Sequence, residues 1–164
     1  MLYEVTGDLV RDKQYDIFCH QTNCKGRMGA GIARQIAETY PIVRARDAKY
    51  HDVCVNYRGG ERAMLGTIMG SRTDDGRLCI NMYAQEDYGI GKRQTDYVAF
   101  ARCLALLRDD LCDYPLGVKV AFPDHIGCGL AGGEWRVIKN LITAFSRMIR
   151  QDVYIVSLPK DAAA

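Results

Sequence analysis

The sequence predicts an α/β fold in which helices cover both faces of a mixed, mostly parallel sheet. Segments with strand character alternate along the chain with segments of helical periodicity. Two strand-like runs, INMY at 80–83 and VKVAF at 118–122, are apolar enough to be buried on both sides. Two glycine-rich stretches lie between a strand-like and a helical segment, which is where ligands bind in open α/β sheets.

Six strands are predicted from runs rich in β-branched and aromatic residues. They lie at Leu2–Val5, Ile17–Thr22, Gly66–Gly70, Leu78–Tyr83, Val118–Phe122 and Val153–Leu158. Helices are predicted after Thr95 and after Gly133, where apolar residues recur at helical spacing. A third predicted helix covers 31–40 and stops at Pro41, and residues 42–51 are predicted to form a further short helix.

The chain of 164 residues has the size and composition of one globular domain, 48% hydrophobic and 26% charged. We predict a single domain over 1–160 and a frayed tail at 161–164. Because 22 basic and 20 acidic residues nearly cancel, bulk electrostatic binding to nucleic acid is not expected. The start lacks a signal-peptide pattern, and no apolar run reaches the ~20 residues that span a membrane. We therefore expect a cytoplasmic protein, not bound to membranes, whose seven cysteines are reduced.

The first glycine-rich stretch is HQTNCKGRMGAGIARQI, residues 20–36. A strand is predicted to end near Thr22 and a helix to begin near Gly29. Gly29, Ala30 and Gly31 carry little or no side chain, so backbone N–H groups at the helix start can face a phosphate or diphosphate. A tight strand-to-helix turn is the alternative explanation.

The second stretch, FPDHIGCGLAGGEW at 122–135, has four glycines in seven residues just before a helix. Alone it is equally consistent with a turn, but two such loops at matching strand ends favour a diphosphate held from both sides. A dinucleotide-dependent enzyme on a doubly wound sheet is disfavoured, because Arg34 occupies the third glycine position of the GxGxxG pattern. The chain also has no Walker sequence.

In these motifs the chain resembles the macrodomain family along nearly its whole length. GDL at Gly7–Leu9 is similar to the opening motif of the family, His20–Ala33 to its first ligand loop, and Ile126–Gly133 to its second, diphosphate-binding loop. The resemblance implies a three-layer α/β/α module that binds ADP-ribose. Some members of the family hydrolyse ADP-ribosyl links or ADP-ribose phosphate.

The resemblance also implies roles for single residues. Asp8 would accept a hydrogen bond from the adenine amino group, Leu9 would offer its backbone nearby, and Asn23 would face the distal ribose. The alternatives are a turn or cap role for Asp8 and a loop-stabilising role for Asn23. The other implied ligand contacts come from the two loops: Gly29, Ala30, Gly31, Ile32, Ile126, Gly127, Cys128, Gly129 and Leu130.

The first loop is most similar to the branch that includes terminal ADP-ribose protein glycohydrolases. That branch uses a lysine after the strand corresponding to INMY and an aspartate in the second loop, where this sequence has Gln85 and Ala131. Neither can act as a nucleophile or proton carrier, so a lysine-dependent mechanism is not expected. We predict an ADP-ribose-binding protein that hydrolyses an ADP-ribose derivative, by de-ADP-ribosylation or by removal of a 1″-phosphate. The alternative is a reader that binds ADP-ribose or a related nucleotide without turnover.

Candidate catalytic residues are few. Asn23 is predicted to orient a water against the anomeric carbon, with the phosphate of the ligand accepting its proton. His20 and Asp87 are candidate acids or bases, although a packed histidine and a solvated aspartate are the simpler interpretations. Tyr88 is a candidate to cover a ribose, and Arg27 to pair with a phosphate or to lie in solvent.

A zinc site is the last alternative. His51 with Cys54, and His125 with Cys128, form two HxxC pairs of the kind that bind zinc. Because Cys128 lies inside the second glycine loop and His51 lies in an unrelated segment, we predict no metal and no cofactor. The predicted partners are ADP-ribose or a derivative and, as a further candidate, an ADP-ribosylated protein.

Overall fold

A six-stranded sheet forms the centre of the protein, whose computed structural model describes residues 1–160. The strand order is β1-β6-β5-β2-β4-β3, and every neighbouring pair is parallel except β3 and β4. The mixed, mostly parallel sheet predicted from the sequence is therefore confirmed. The strands are β1 (Leu2–Thr6), β2 (Ile17–Asn23), β3 (Ile68–Arg72), β4 (Leu78–Gln85), β5 (Lys119–Pro123) and β6 (Asp152–Ser157).

All six predicted strands are present, with shifts at some ends. The third begins at Ile68 rather than Gly66, because Gly66 has a φ of 81° and belongs to the turn after a short 3₁₀ helix, Glu61–Met64. The fourth continues past Tyr83 to Gln85. This extension carries Gln85 to the edge of the sheet at which the glycine loops lie.

Four α-helices cover the sheet: α1 (Gly31–Thr39), α2 (Pro41–Tyr57), α3 (Tyr97–Leu111) and α4 (Trp135–Met148). The helix predicted over 42–51 is longer than expected. It starts with Pro41 and ends only before Gly59 and Gly60, which have φ of 88° and 109°. Its apolar pattern is weak because the buried positions of this helix include the charged residue Asp47.

Two hydrophobic clusters on opposite faces of the sheet define the three layers. Ile17 and Cys19 of β2 pack in the cluster that contains α3 and α4, whereas Phe18 packs in the cluster that contains α1 and α2. Alternate residues of one strand thus enter opposite layers, as the pleat of a strand requires. All seven residues of β2 are buried, which is the pattern of a strand covered on both faces.

Parallel pairing brings the two glycine-rich loops to the same edge of the sheet. β2 and β5 are neighbours, so the loop from β2 to α1 and the loop from β5 to α4 leave the sheet side by side. Within residues 1–160, no helix is long and apolar enough to cross a membrane. The predicted tail, 161–164, lies outside the described residues.

Candidate functional site

A cleft at the carboxyl ends of the strands runs between the two glycine loops. It has two connected parts, of about 550 and 490 Å³, which we call the Asp8 half and the Asn23 half after a residue that lines each. The two halves share six lining residues: Gln21, Ala30, Ala33, Gln85, Leu130 and Ala131. The glycine loops therefore form opposite walls of one continuous cleft.

Asp8 lines the first half and also shapes the loop that carries it. Its Oδ1 accepts hydrogen bonds from the backbone N–H groups of Val10 and Arg11, at 3.0 and 3.1 Å. The turn role considered from the sequence is thus present. Oδ2 lies 3.8 Å from Arg11 Nε at a partly open position, so this oxygen keeps capacity to accept a further hydrogen bond.

Arg77, a residue the sequence did not single out, fixes the backbone of the same loop. The side chain is buried and its guanidinium donates to the carbonyls of Leu9 at 2.8 Å, Val10 at 3.0 Å and Tyr15 at 2.9 Å. The guanidinium also lies over the Phe18 ring, 4.2 Å from its centroid. A planar cation with several fixed donors suits this task, which a lysine cannot reproduce.

The first glycine loop presents a helix start to the cleft. α1 begins at Gly31, whose φ is 54°, and its N-cap, Ala30, makes no capping hydrogen bond through its side chain. Gly29 lines the Asn23 half, Gly31 and Ile32 line the Asp8 half, and Ala30 lines both. The N–H groups of the first turn of α1 and the positive end of its dipole are therefore available to an anion.

The second glycine loop is held in shape by polar contacts at Gly127, which has a φ of 72°. Its carbonyl accepts from Thr95 Oγ1 at 2.6 Å and from Gly133 N at 2.9 Å. Ile126, Gly127, Gly129 and Leu130 line the cleft, and their contact with a ligand stays a prediction. The loop is thus fixed to a distant segment of the chain as well as to itself.

Cys128 belongs to the loop but does not line the cleft. Its thiol donates to the Ile126 carbonyl at 3.3 Å, and its side chain packs against the apolar cluster beneath. Burial raises the pKa of this thiol to about 11, which keeps it protonated at neutral pH. The Cys128 side chain therefore packs against the core and not toward the cleft.

Asn23 stands at the end of β2, where a register shift between Thr22 and Asn23 pairs it with Gln85. Its Oδ1 accepts from Lys25 N at 2.9 Å, and its Nδ2 donates to the Arg27 carbonyl at 2.8 Å. Asn23 therefore stabilises the loop and also lines the Asn23 half. One N–H and one lone pair of the amide remain for a ligand.

Tyr88 and Arg27 line the Asn23 half, but Asp87 does not. Asp87 lies in a separate charged depression together with Lys92, and its Oδ1 accepts from the backbone N–H of Tyr88 at 2.8 Å. Its role is thus to shape the loop. Neither Asp87 nor Lys92 reaches the cleft.

His20 lies beneath the cleft in a buried polar network. Its Nε2 is 2.7 Å from Asn81 Oδ1, Asn81 Nδ2 donates to Asp47 Oδ1 at 3.3 Å, and Tyr83 donates to the same oxygen at 2.6 Å. Burial lowers the pKa of His20 to about 4. Because its side chain is fully buried and lines neither half, His20 is not retained as a candidate acid or base.

The buried imidazole predicts a dependence of stability on pH. Unfolded histidine titrates near 6.5, so between about pH 6.5 and 4 the unfolded chain binds a proton that the folded protein excludes. Lowering the pH through this window should remove roughly 3 kcal/mol of unfolding free energy. Urea denaturation of the wild type and His20→Gln at several pH values tests this. The variant should lose less stability on acidification than the wild type. Equal dependence of the unfolding free energy on pH in both proteins would show that His20 is not the cause.

Several residues that line the cleft were not recognised from the sequence as ligand contacts, among them Gln21, Gln85 and His125. Gln21 donates through Nε2 to Gln85 Oε1 and to Thr95 Oγ1, both at 2.9 Å, and lines both halves. His125 lines the Asp8 half with a φ of 55°, and its ring stacks on Trp135 with centroids 4.8 Å apart. The available signals were a polar residue within a buried strand for Gln21 and Gln85, and a position two residues before Gly127 for His125.

The zinc alternative gains no support from the geometry. No group of three or more His, Cys, Asp or Glu side chains in the described range 1–160 is arranged to hold a metal ion. His51 instead lies 3.1 Å from Glu61 Oε1, and Cys54 is buried in a small cluster with Cys24.

Comparison with known proteins identifies the fold. No protein-family model matches the chain. The chain is 24% identical over 131 residues to an uncharacterised 17.5 kDa protein from the tk-vs intergenic region of Enterobacteria phage T4. This alignment covers 77% of each of the two chains. The macrodomain of Mycobacterium tuberculosis DarG superposes with a TM-score of 0.76 and 22% identity, covering 98% of this chain and 99% of that one.

A second similar structure is Thermosipho africanus DarTG in complex with ADP-ribose, with a TM-score of 0.71 and 16% identity. The match covers 94% of this chain and 40% of that one. Together these likenesses show that the protein has the macrodomain fold, as the sequence motifs predicted. The closer resemblance to the glycohydrolase branch stays a prediction.

Proposed function

We propose that this protein binds ADP-ribose in the cleft, with adenosine in the Asp8 half and the distal ribose in the Asn23 half. The observation that carries the proposal is the pair of glycine loops on opposite walls, one of them opening a helix. Backbone N–H groups at such positions bind a diphosphate. A solved structure with the same fold, Thermosipho africanus DarTG, contains ADP-ribose.

The polar groups at the two ends of the cleft suit the two ends of this ligand. Asp8 Oδ2 is a partly open acceptor for the adenine amino group, and Asn23 has an N–H and a lone pair left for ribose hydroxyls. The diphosphate lies between them, at the start of α1. His125, which also lines the Asp8 half, adds an aromatic surface backed by Trp135.

The proposed activity is hydrolysis of an ADP-ribose derivative, either a protein-linked ADP-ribose or its 1″-phosphate. Water held by Asn23 attacks the anomeric carbon while the bond from that carbon to the linked oxygen breaks, so that the linked protein group or the 1″-phosphate leaves with the bonding electrons. The diphosphate of the ligand accepts the proton of the water. A lysine nucleophile is not part of this mechanism, because Gln85 and Ala131 line the cleft where the glycohydrolase branch has its lysine and aspartate.

The second candidate is a non-catalytic reader of ADP-ribose. Two observations favour it. In the described part of the chain, the Asn23 half is lined by no aspartate, glutamate or histidine that could act as a general base. Asn23 is also already engaged with its own loop.

Calorimetric titration with ADP-ribose tests the binding, and the variant Asp8→Asn tests the proposed contact with adenine. The asparagine can keep an oxygen for the turn while placing an N–H group where the adenine amino group requires an acceptor. We expect ADP-ribose to bind about tenfold more weakly, because one charge-assisted hydrogen bond to the Asp8 carboxylate is lost. The stability of the protein should change little. No heat with the wild-type protein would reject the site, and unchanged affinity in Asp8→Asn would reject the adenine role.

Turnover assays separate the enzyme from the reader. Mono-ADP-ribosylated protein and ADP-ribose 1″-phosphate are the two substrates to assay, with Asn23→Ala as the variant. Turnover by the wild type that is lost in Asn23→Ala supports hydrolysis, and binding without turnover of either substrate selects the reader. Circular dichroism confirms that the variant remains folded.

A further inference from the structure

The strongest unexplained feature is the composition of the outer wall of the Asn23 half. Three large apolar side chains line it while remaining exposed, namely Tyr88 at 52%, Ile90 at 81% and Leu130 at 61%. A single exposed apolar residue on a surface needs no explanation, but three around one opening form a patch that favours an apolar occupant. We call these three residues the apolar rim.

The loop that supplies Tyr88 and Ile90 separates its apolar side chains from its charged ones. Its sequence, EDYGIGKR at 86–93, is half charged. Tyr88, Gly89 and Ile90 line the cleft, whereas the charged residues Glu86, Asp87, Lys92 and Arg93 line a separate depression. Contact with solvent alone does not explain why the apolar residues of this loop face the cleft while its charged residues face away from it.

The loop backbone is built to hold this arrangement. Gly89 and Gly91 have φ of 120° and 99°, a region that favours glycine, and they flank Ile90. Before them, Gln85 Nε2 donates to the Asp87 carbonyl at 2.8 Å. The loop is thereby tied to the end of β4, beside the cleft.

Charge disfavours a cationic group at the rim. Over residues 1–160, the Asn23 half is lined by one charged side chain, Arg27, and by no carboxylate. A guanidinium or ammonium group placed there would meet a like charge and lose its hydration without compensation. An uncharged group with an apolar face would instead bury the rim and leave Arg27 in solvent.

We propose that the apolar rim binds the group attached to the anomeric carbon of ADP-ribose, and that this group is uncharged with an apolar face. Of the two substrates proposed above, protein-linked ADP-ribose is therefore preferred over the 1″-phosphate. The proposal rests on the proposed function, because it requires the distal ribose to lie at Asn23. It assigns Ile90 as a residue that determines specificity for the group linked to ADP-ribose. It also excludes arginine-linked ADP-ribose as the preferred ligand.

The test compares four ADP-ribose derivatives by calorimetry: 1″-O-methyl, 1″-O-benzyl, 1″-O-(3-guanidinopropyl) and 1″-phosphate. The benzyl derivative should bind about fivefold tighter than the methyl derivative, from the apolar area it buries. The guanidinopropyl derivative should bind no tighter than the methyl one. A benzyl derivative equal to methyl, or weaker than the guanidinopropyl or phosphate derivative, would overturn the proposal.

The variant Ile90→Ser tests whether Ile90 causes the preference for the benzyl derivative. Val98→Ser is the control, because Val98 is exposed on α3 and does not line the cleft. The ratio of benzyl to methyl affinity should fall toward one in Ile90→Ser and keep its wild-type value in Val98→Ser. A ratio equal in both variants would overturn the role of Ile90. Binding of the methyl derivative without discrimination leaves the proposed function standing, whereas loss of all four ligands rejects both.

Discussion

Replacing Gly127 with alanine is expected to weaken ADP-ribose binding by at least about tenfold, because the change acts on the second glycine loop in two ways. A Cβ at this position would lie 2.5 Å from Gln21 Oε1 and 3.1 Å from Thr95 Oγ1. Gln21 cannot easily move away, since its amide already donates to Gln85 and Thr95. The φ of 72° adds the cost of a left-handed conformation for a residue with a side chain.

Calorimetry and thermal unfolding measure the two consequences of Gly127→Ala separately. The free energy of unfolding should fall by about 1–2 kcal/mol. The affinity should also fall, because the loop proposed to contact the diphosphate is displaced. Gly117→Ala is the control: it lies outside the cleft, and a Cβ there meets no atom within 4 Å. Wild-type affinity in Gly127→Ala would show that the loop does not contact the ligand.

Replacing Arg77 with methionine is expected to cause the largest loss of stability, about 3 kcal/mol. Methionine retains much of the apolar packing but removes the donors that satisfy the carbonyls of Leu9, Val10 and Tyr15. Buried carbonyls left without partners cost more than the hydrogen bonds themselves contribute. Because Asp8 precedes two of these carbonyls, the loop proposed to recognise adenine should also lose its fixed position.

A purely structural role for Arg77 would lower stability without changing which base is preferred. The measurement is therefore the ratio of affinities for ADP-ribose and for its inosine analogue, in which a carbonyl oxygen replaces the adenine amino group. This ratio should fall in Arg77→Met and, should that variant not fold, in Arg77→Lys. Arg72→Met is the control, because Arg72 is the exposed last residue of β3. If both Arg77 variants keep the wild-type ratio of affinities, Arg77 contributes to stability and not to the preference for adenine.

Much of the fold followed from local pattern. All six strands and the helices around them were predicted, because apolar periodicity reflects which faces of an element are buried. The long α2 was underestimated, because its buried positions include Asp47, whose carboxylate accepts from Tyr83 rather than packing as an apolar group. The start of β3 was misplaced because the φ of Gly66 depends on the turn before it.

The site was predicted unevenly. The two glycine loops were located and paired, because strand-end loops of a parallel sheet meet at one edge. The side chains that fix them were not, since Gln21 contacts Gln85 and Thr95, which are 64 and 74 residues away along the chain. Arg77 was missed for the same reason, because it reaches Leu9 across 68 residues.

His20 and Asn23 mark the division between what sequence and tertiary structure decide. The sequence by itself determined that a buried strand ends here and that a glycine loop follows, because those features depend on neighbouring residues. Only the tertiary structure decided that His20, three residues earlier, is enclosed against Asn81, while Asn23 reaches the cleft at the strand end. Burial depends on what packs above each residue, and those atoms come from distant parts of the chain.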